Sequence, residues 1–129
     1  YKIILIFDKR DRLVASCVGR EVFANNRKAF RLTELIIDNY LGQDFKGVFD
    51  EFLYLNKYDY VDFLEFGFDE KLLKGFGFEL CSKNLYVPHL FEPFVQDRAE
   101  VVIAYKSQDH FYCTKGDSDL DRPNRINNV

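Results

Sequence analysis

Cysteine is scarce in this chain, and the three present, Cys17, Cys81 and Cys113, stand far apart with no CxxC pair among them. An odd, scattered set builds neither a zinc site nor a disulfide framework. Cys17 and Cys81 lie in apolar, strand-like runs, where a thiol behaves as an inert core group. Nothing in the spacing sets a cysteine or a serine beside a histidine, so a nucleophile-histidine pair is not legible. The apolar run IILIF is far too short to cross a bilayer, and no signal-peptide pattern precedes it. A reducing cytoplasm is the expected setting. There is no internal repeat, no low-complexity tract and no basic-aromatic motif of the kind that binds nucleic acid. Methionine is absent even at position 1, where the chain opens directly into a strand, so an N-terminal portion is expected to precede Tyr1.

Aromatic residues are abundant instead. Fourteen Phe and eight Tyr in 129 residues supply one aromatic core, argue against disorder and make a single domain over 1–129 the simplest organisation. Charge is unevenly placed. Residues 1–31 carry eight Lys/Arg against three Asp/Glu, so the net −3 of the whole chain divides into +5 there and −8 in the remainder. Such a basic segment either attracts phosphates or is neutralised within the fold.

The order of elements follows from periodicity. KIILIF (2–7) reads as a buried strand closed by the charged turn DKRD. RLVASCVGREVF (12–23) is a second strand with Gly19 as a possible bulge, and AFRLTELIID (29–38) a third, joined by ANNRK into an antiparallel meander. The period then changes. Phe45, Val48, Phe49, Phe52 and Leu53 fall at i, i+3, i+4, i+7 and i+8, one stripe of a helix capped by Asp44. YDYVDFLEF (58–66) returns to strand. DEKLLKGFGFEL (69–80) gives a short helix capped by Asp69, a stop at Gly75–Gly77 and a new strand from Phe78. Pro88 and Pro93 punctuate an extended loop, and EVVIAYK (100–106) is a strand with which HFYCT (110–114) is expected to pair. Residues 107–129 make a terminal strand and a polar tail. The fold class is therefore α+β: a mixed, mostly antiparallel sheet with helices packed on it. The step from the third strand through the helix to strand 60–66 should be a parallel, right-handed crossover. Two parallel neighbours in an otherwise antiparallel sheet can splay apart, and the splay would be a cleft between Asp38 and Glu65.

This pattern, with the unit LLKGFGFEL, resembles the Gcn5-related N-acetyltransferase (GNAT) fold from its second strand onward. The first strand and first helices of that fold have no counterpart here. The C-terminal half, YVDFLEFGFDEKLLKGFGFEL…VPHLFEPF…GDSDLDRPN, resembles a group of GNAT-like or acyltransferase-like bacterial proteins encoded with surface-polysaccharide genes. The resemblance implies acyl transfer from acetyl-CoA or another acyl-CoA to an amino-sugar or related small substrate. It also implies that main-chain groups at Ile37, Asp38 and Asn39, with Gly42 and Gln43, would hold the cofactor. The chain departs from the family at two points. DNYLGQDFKG lacks the x-x-Gly-x-Gly loop that cradles a pyrophosphate at a helix N-terminus, and Leu73 stands where a tyrosine often serves as general acid. A non-catalytic GNAT-like ligand- or partner-binding module is the alternative reading. A third is a structural half whose sheet is completed by another domain, or by a second copy in a homodimer through exposed sheet edges.

Candidate catalytic residues are few. Glu65 shares the Val61 and Phe63 face of its strand, where a carboxylate near an apolar cleft could act as general base for an amine. An exposed or ion-paired strand carboxylate is the plainer reading, and Glu34 carries the same two. His89 and Glu92 lie in VPHLFEPF, a loop stiffened by two prolines, where a carboxylate beside a histidine suits proton transfer; they could equally cap a core edge. His110 has no evident partner and is structural. The last stretch, KGDSDLDRPN (115–124), sets three aspartates at alternate positions, yet an EF-hand from Asp117 would need Gly where Arg122 stands and Glu where Asn128 stands. What remains is a polar turn with Asx-type bonds, either as a solvated tail or as a lip of carboxylates with Arg122 that binds sugar hydroxyls, an amine or the body of its own protein.

Overall fold

The computed structural model describes residues 1–24, 26–38, 45–80, 87–88, 96–97 and 111–117. Its centre is a four-stranded sheet in the order β1 (Lys2–Phe7), β2 (Leu13–Ala24), β3 (Arg27–Ile37), β4 (Tyr60–Phe63). β1–β2 and β2–β3 are antiparallel, whereas β3 and β4, linked through helix α1 (Lys46–Asn56), run parallel. The α+β class and the meander followed by a parallel return are as the periodicity predicts. Two turns close the meander. In the first, the Asp8 carboxylate accepts the amides of Arg10 and Arg12 at 2.7 and 3.0 Å. In the second, Asn26 takes a left-handed φ of 61°, a conformation asparagine tolerates well.

The bulge expected at Gly19 is there, but the extra residue lies on the partner strand. Val18 faces Glu34 and Gly19 faces Leu32, which leaves Thr33 over; its hydroxyl donates to the Val18 carbonyl at 3.1 Å. This irregularity swings the second half of β3 relative to the first.

One face of the sheet carries Ile6, Ala15, Cys17, Phe30, Leu32 and Leu35 into the core. α1 covers it with Phe49 and, in part, Phe52 and Leu53. Phe52 meets Phe30 edge-on at 5.1 Å between ring centroids. Val48, counted in the helical stripe by spacing, is instead 39% exposed: it lies at the stripe's margin, beyond the edge of the sheet surface the helix meets. The residue at the N-cap position is Phe45, with no side-chain cap, rather than Asp44, which lies outside the described residues. Phe45 is buried and stacks on Phe76 at 4.5 Å, so packing fixes the start of α1 where a polar cap was expected. The helix ends with Lys57 in the left-handed region and the Tyr58 amide reaching back to the Leu53 carbonyl.

Helix α2 (Glu70–Gly75) follows two short β elements and obeys its sequence signals closely. The Asp69 carboxylate accepts from the Lys71 amide at 2.7 Å, and Gly77 at φ 85° lets the Phe78 amide return to the Leu73 carbonyl. Residues 78–80 are not a strand, contrary to the expectation; the chain there is irregular, with Phe78 turned against Phe49 and Phe63. β5 (Glu65–Phe66) pairs with β8 (Cys113–Thr114), and β6 (Val87–Pro88) pairs with β7 (Gln96–Asp97). The strand read at 100–106 lies outside the described residues, and the described partner of 113–114 is β5. Among the described residues no helix is long and apolar enough to cross a membrane.

Candidate functional site

Parallel pairing between β3 and β4 covers Ala29–Leu32 against Tyr60–Phe63 and then stops. β3 continues to Ile37 alongside β2, while the other strand breaks at Leu64 and resumes as β5 against β8. The two neighbours therefore diverge beyond Leu32 and Phe63, as the single parallel junction in the sheet suggested. The Asp38 amide donates to the Val14 carbonyl at 3.0 Å, so its main-chain groups face β2. Alternation along a strand then turns the amides and carbonyls of Leu35 and Ile37 the other way, into the gap.

Part of that gap is filled by the chain itself. Residues 113–117 enter it: the Lys115 amide donates to the Leu64 carbonyl at 3.2 Å, and Lys115–Asp117 form a 3-10 turn. The Asp117 carboxylate accepts from the Thr114 amide at 2.7 Å and its hydroxyl at 3.2 Å, the Asx-type bond expected of this stretch. Gly116 lies against β3: a Cβ there would stand 3.0 Å from the Thr33 carbonyl oxygen. Gly67, at φ 95°, lies so close to the Phe111 carbonyl that no side chain fits. Both glycines hold this segment in place by permitting close approach. Lys115 is 2% exposed, so the start of KGDSDLDRPN is not a solvated tail. Asp119, Asp121 and Arg122 lie outside the described residues.

A set of buried polar side chains surrounds the point of divergence. Arg31, Thr33, Thr114 and Lys115 are all at most 4% exposed. Arg31 forms a two-pronged pair with Asp62, Nε and Nη2 reaching Oδ2 at 2.9 and 2.8 Å. Buried charge is unusual in a domain of this size and is tolerated only when paired. Sequence reading missed Arg31 and Lys115. Their one signal is a basic residue inside an otherwise apolar strand or strand end, and alternation assigns such residues to solvent. At Arg31 that alternation fails because both faces of the sheet are covered in the first half of β3.

The residues singled out from the sequence fare differently. Glu65 is half-buried on β5, and its Oε2 accepts from the Phe68 amide at 3.0 Å, closing the turn at Gly67. Ile37 borders the gap through its main chain, and Asp38 is engaged with β2. Glu34 is exposed on the opposite sheet face from Leu35. His89, Glu92, Asn39, Gly42, Gln43 and His110 lie outside the described residues.

The basic N-terminal segment is largely neutralised internally. Arg12 pairs with Asp8, Arg27 with Asp59 and Arg31 with Asp62. Lys28 and Lys2 converge on Glu21 Oε1 at 2.6 and 2.9 Å, and the Tyr58 hydroxyl donates to the same oxygen at 2.7 Å. Three donors, Lys28 foremost, hold the Glu21 carboxyl down at about 2. At the other extreme, burial pushes the Cys17 thiol up to about 12.

Compared with family models, curated proteins and solved structures, the chain matches none.

Proposed function

We propose that this chain is a GNAT-like acyltransferase that acylates an amino-sugar or related small amine in bacterial surface-polysaccharide synthesis, with acetyl-CoA or another acyl-CoA as donor. The observation that carries the reading is the divergence of β3 from its parallel neighbour, which leaves the main-chain groups of Leu35 and Ile37 without a β4 partner. An extended pantetheine arm can add to such an edge as a short strand. The acceptor nitrogen then attacks the thioester carbonyl, its proton passing to a carboxylate such as Glu65 or Glu92 or to His89, and the thiolate leaves. Use of a coenzyme A thioester suits a cytoplasmic protein.

A second reading, a non-catalytic GNAT-like binding module, is favoured by a specific observation: residues 113–117 occupy the first part of the gap and are hydrogen-bonded there. Calorimetric titration with acetyl-CoA and with coenzyme A, at low and high salt, separates the two. Saturable heat below about 1 mM supports the transferase. No heat at that concentration removes the transferase and leaves the binding module.

A further inference from the structure

The sheet has two faces, and among the described residues only one is fully covered. Ile4, Ile6, Ala15, Cys17 and Leu35 point into the core, so their neighbours along each strand point away from it. On that outer face the register sets Leu5 beside Ser16 beside Ile36, Ile3 beside Val18, and Phe7 beside Leu13. Ile3 is 71% exposed, Phe7 53%, Leu5 51%, and Leu13 and Ile36 49% each. Farther along the same face, Ala29 and Arg31 are buried at 0 and 1%. Among the described residues the outer face is thus covered at Ala29 and Arg31 in the first half of β3, and open over β1, β2 and the second half of β3. The five apolar side chains leave on the order of 500 Å² uncovered, the upper range for a patch on a monomer and commonly a binding surface.

We infer that this outer face of β1, β2 and β3 packs against the same face of a second copy of the chain, sheet on sheet about a two-fold axis near Leu5. A two-fold interface uses one patch twice, so the patch must tolerate its own image. This one does: Ile3, Leu5, Phe7, Leu13, Ser16, Val18 and Ile36 carry no charge, and Glu34 stands at one margin. Two copies of the patch bury roughly 1,000 Å², the lower limit for a specific interface, which marks a weak, reversible dimer. Pairing β1 edge to edge with its counterpart would leave these side chains in water, because edge pairing covers main chain and not the sheet face. The inference is independent of the acyl-transfer reading.

Sedimentation of the full chain from about 5 to about 200 µM tests it. The expected result is a reversible monomer–dimer equilibrium that persists at high salt, since no charge is involved. Ile36→Glu and Leu5→Glu should each raise the dissociation constant by at least about tenfold. Val48→Glu, on the exposed side of α1, should leave it unchanged. Circular dichroism establishes that each variant is folded. A wild-type chain that stays monomeric throughout overturns the inference and leaves the face to a different protein. A dimer indifferent to Ile36→Glu overturns it in favour of edge pairing, and one dissolved by salt overturns it in favour of ionic contacts.

Discussion

Glu21 offers the cleanest quantitative test of how the meander is tied to α1. Its carboxylate receives Lys28, Lys2 and Tyr58 on one oxygen, joining β1, β2, β3 and the second residue beyond α1. The folded-state value of about 2 lies below the ordinary 4.5, a difference equivalent to about 3.4 kcal/mol at about 1.36 kcal/mol per unit. Lys2 is 46% exposed and the carboxylate 23%, so solvent screens much of this; about 1–2 kcal/mol is the contribution expected at neutral pH. Because the folded value is depressed, that stability is complete above pH 4.5 and drains away as pH falls towards 2. Glu21→Gln keeps the shape and removes the charge. Urea unfolding at pH 7 should show the variant about 1–2 kcal/mol less stable than wild type, and the gap should close to within error only near pH 2. A gap that is equal at both pH values would refute the electrostatic account and assign the loss to packing. A variant as stable as wild type at pH 7 would show that the two lysines gain nothing from the carboxylate.

Three further outcomes follow from the same reasoning. Arg31→Ala should cost about 3 kcal/mol by urea unfolding, because Asp62 is left without its partner, whereas Arg31→Met with Asp62→Leu should come within about 1 kcal/mol of wild type; equal losses would mean that the pair stabilises the fold in its own right. Phe76→Ala should cost about 3–5 kcal/mol, since Phe76 is 2% exposed and touches both Phe45 and Phe49; a loss under 1 kcal/mol would show that the two helices are not locked through that ring. Cys17, fully buried with its thiol pushed up to about 12, should stay unmodified by a thiol reagent at pH 8 until the protein unfolds, whereas the half-buried Cys113 should react before it; peptide mapping of the labelled chain would decide.

The elements that carry a period were readable in the sequence. Lys2–Phe7 matches its expected bounds, the next two strands differ by one or two residues at their ends, and α1 and α2 occur where the stripe and the Asp69 and Gly77 signals set them. What escaped was set by packing rather than by periodicity. Phe45 displaced a polar cap because a stacked ring contributes more at a buried helix start than one side-chain bond. Val48 left the stripe because helical spacing gives direction but not the width of the surface being covered. The bulge was legible through Gly19, yet not which strand holds the extra residue. The candidate cleft was legible in outline, since one parallel junction in a meander forces a divergence. Its contents were not: CTKGD is five residues with no period, and its position depends on a bond to Leu64 formed across some fifty residues of chain.

Those contents decide between the two functional readings, and Asp117 is the residue through which to ask. Its carboxylate ties the turn back to Thr114 by two hydrogen bonds and touches the rest of the protein little, being exposed. Asp117→Ala should therefore loosen residues 113–117 at a cost of about 1–2 kcal/mol, without disturbing the four-stranded sheet. If an acyl-CoA competes with this segment for the gap, the free protein must first pay to displace it, and weakening the segment removes part of that cost. The apparent dissociation constant for acetyl-CoA should then fall about five- to thirtyfold in the variant. If the segment is a permanent part of the sheet, the variant is less stable by the same amount and binds no better. Measuring both quantities on one protein separates the cases, because a ligand that strengthens as stability falls can arise only from competition for the same main-chain groups.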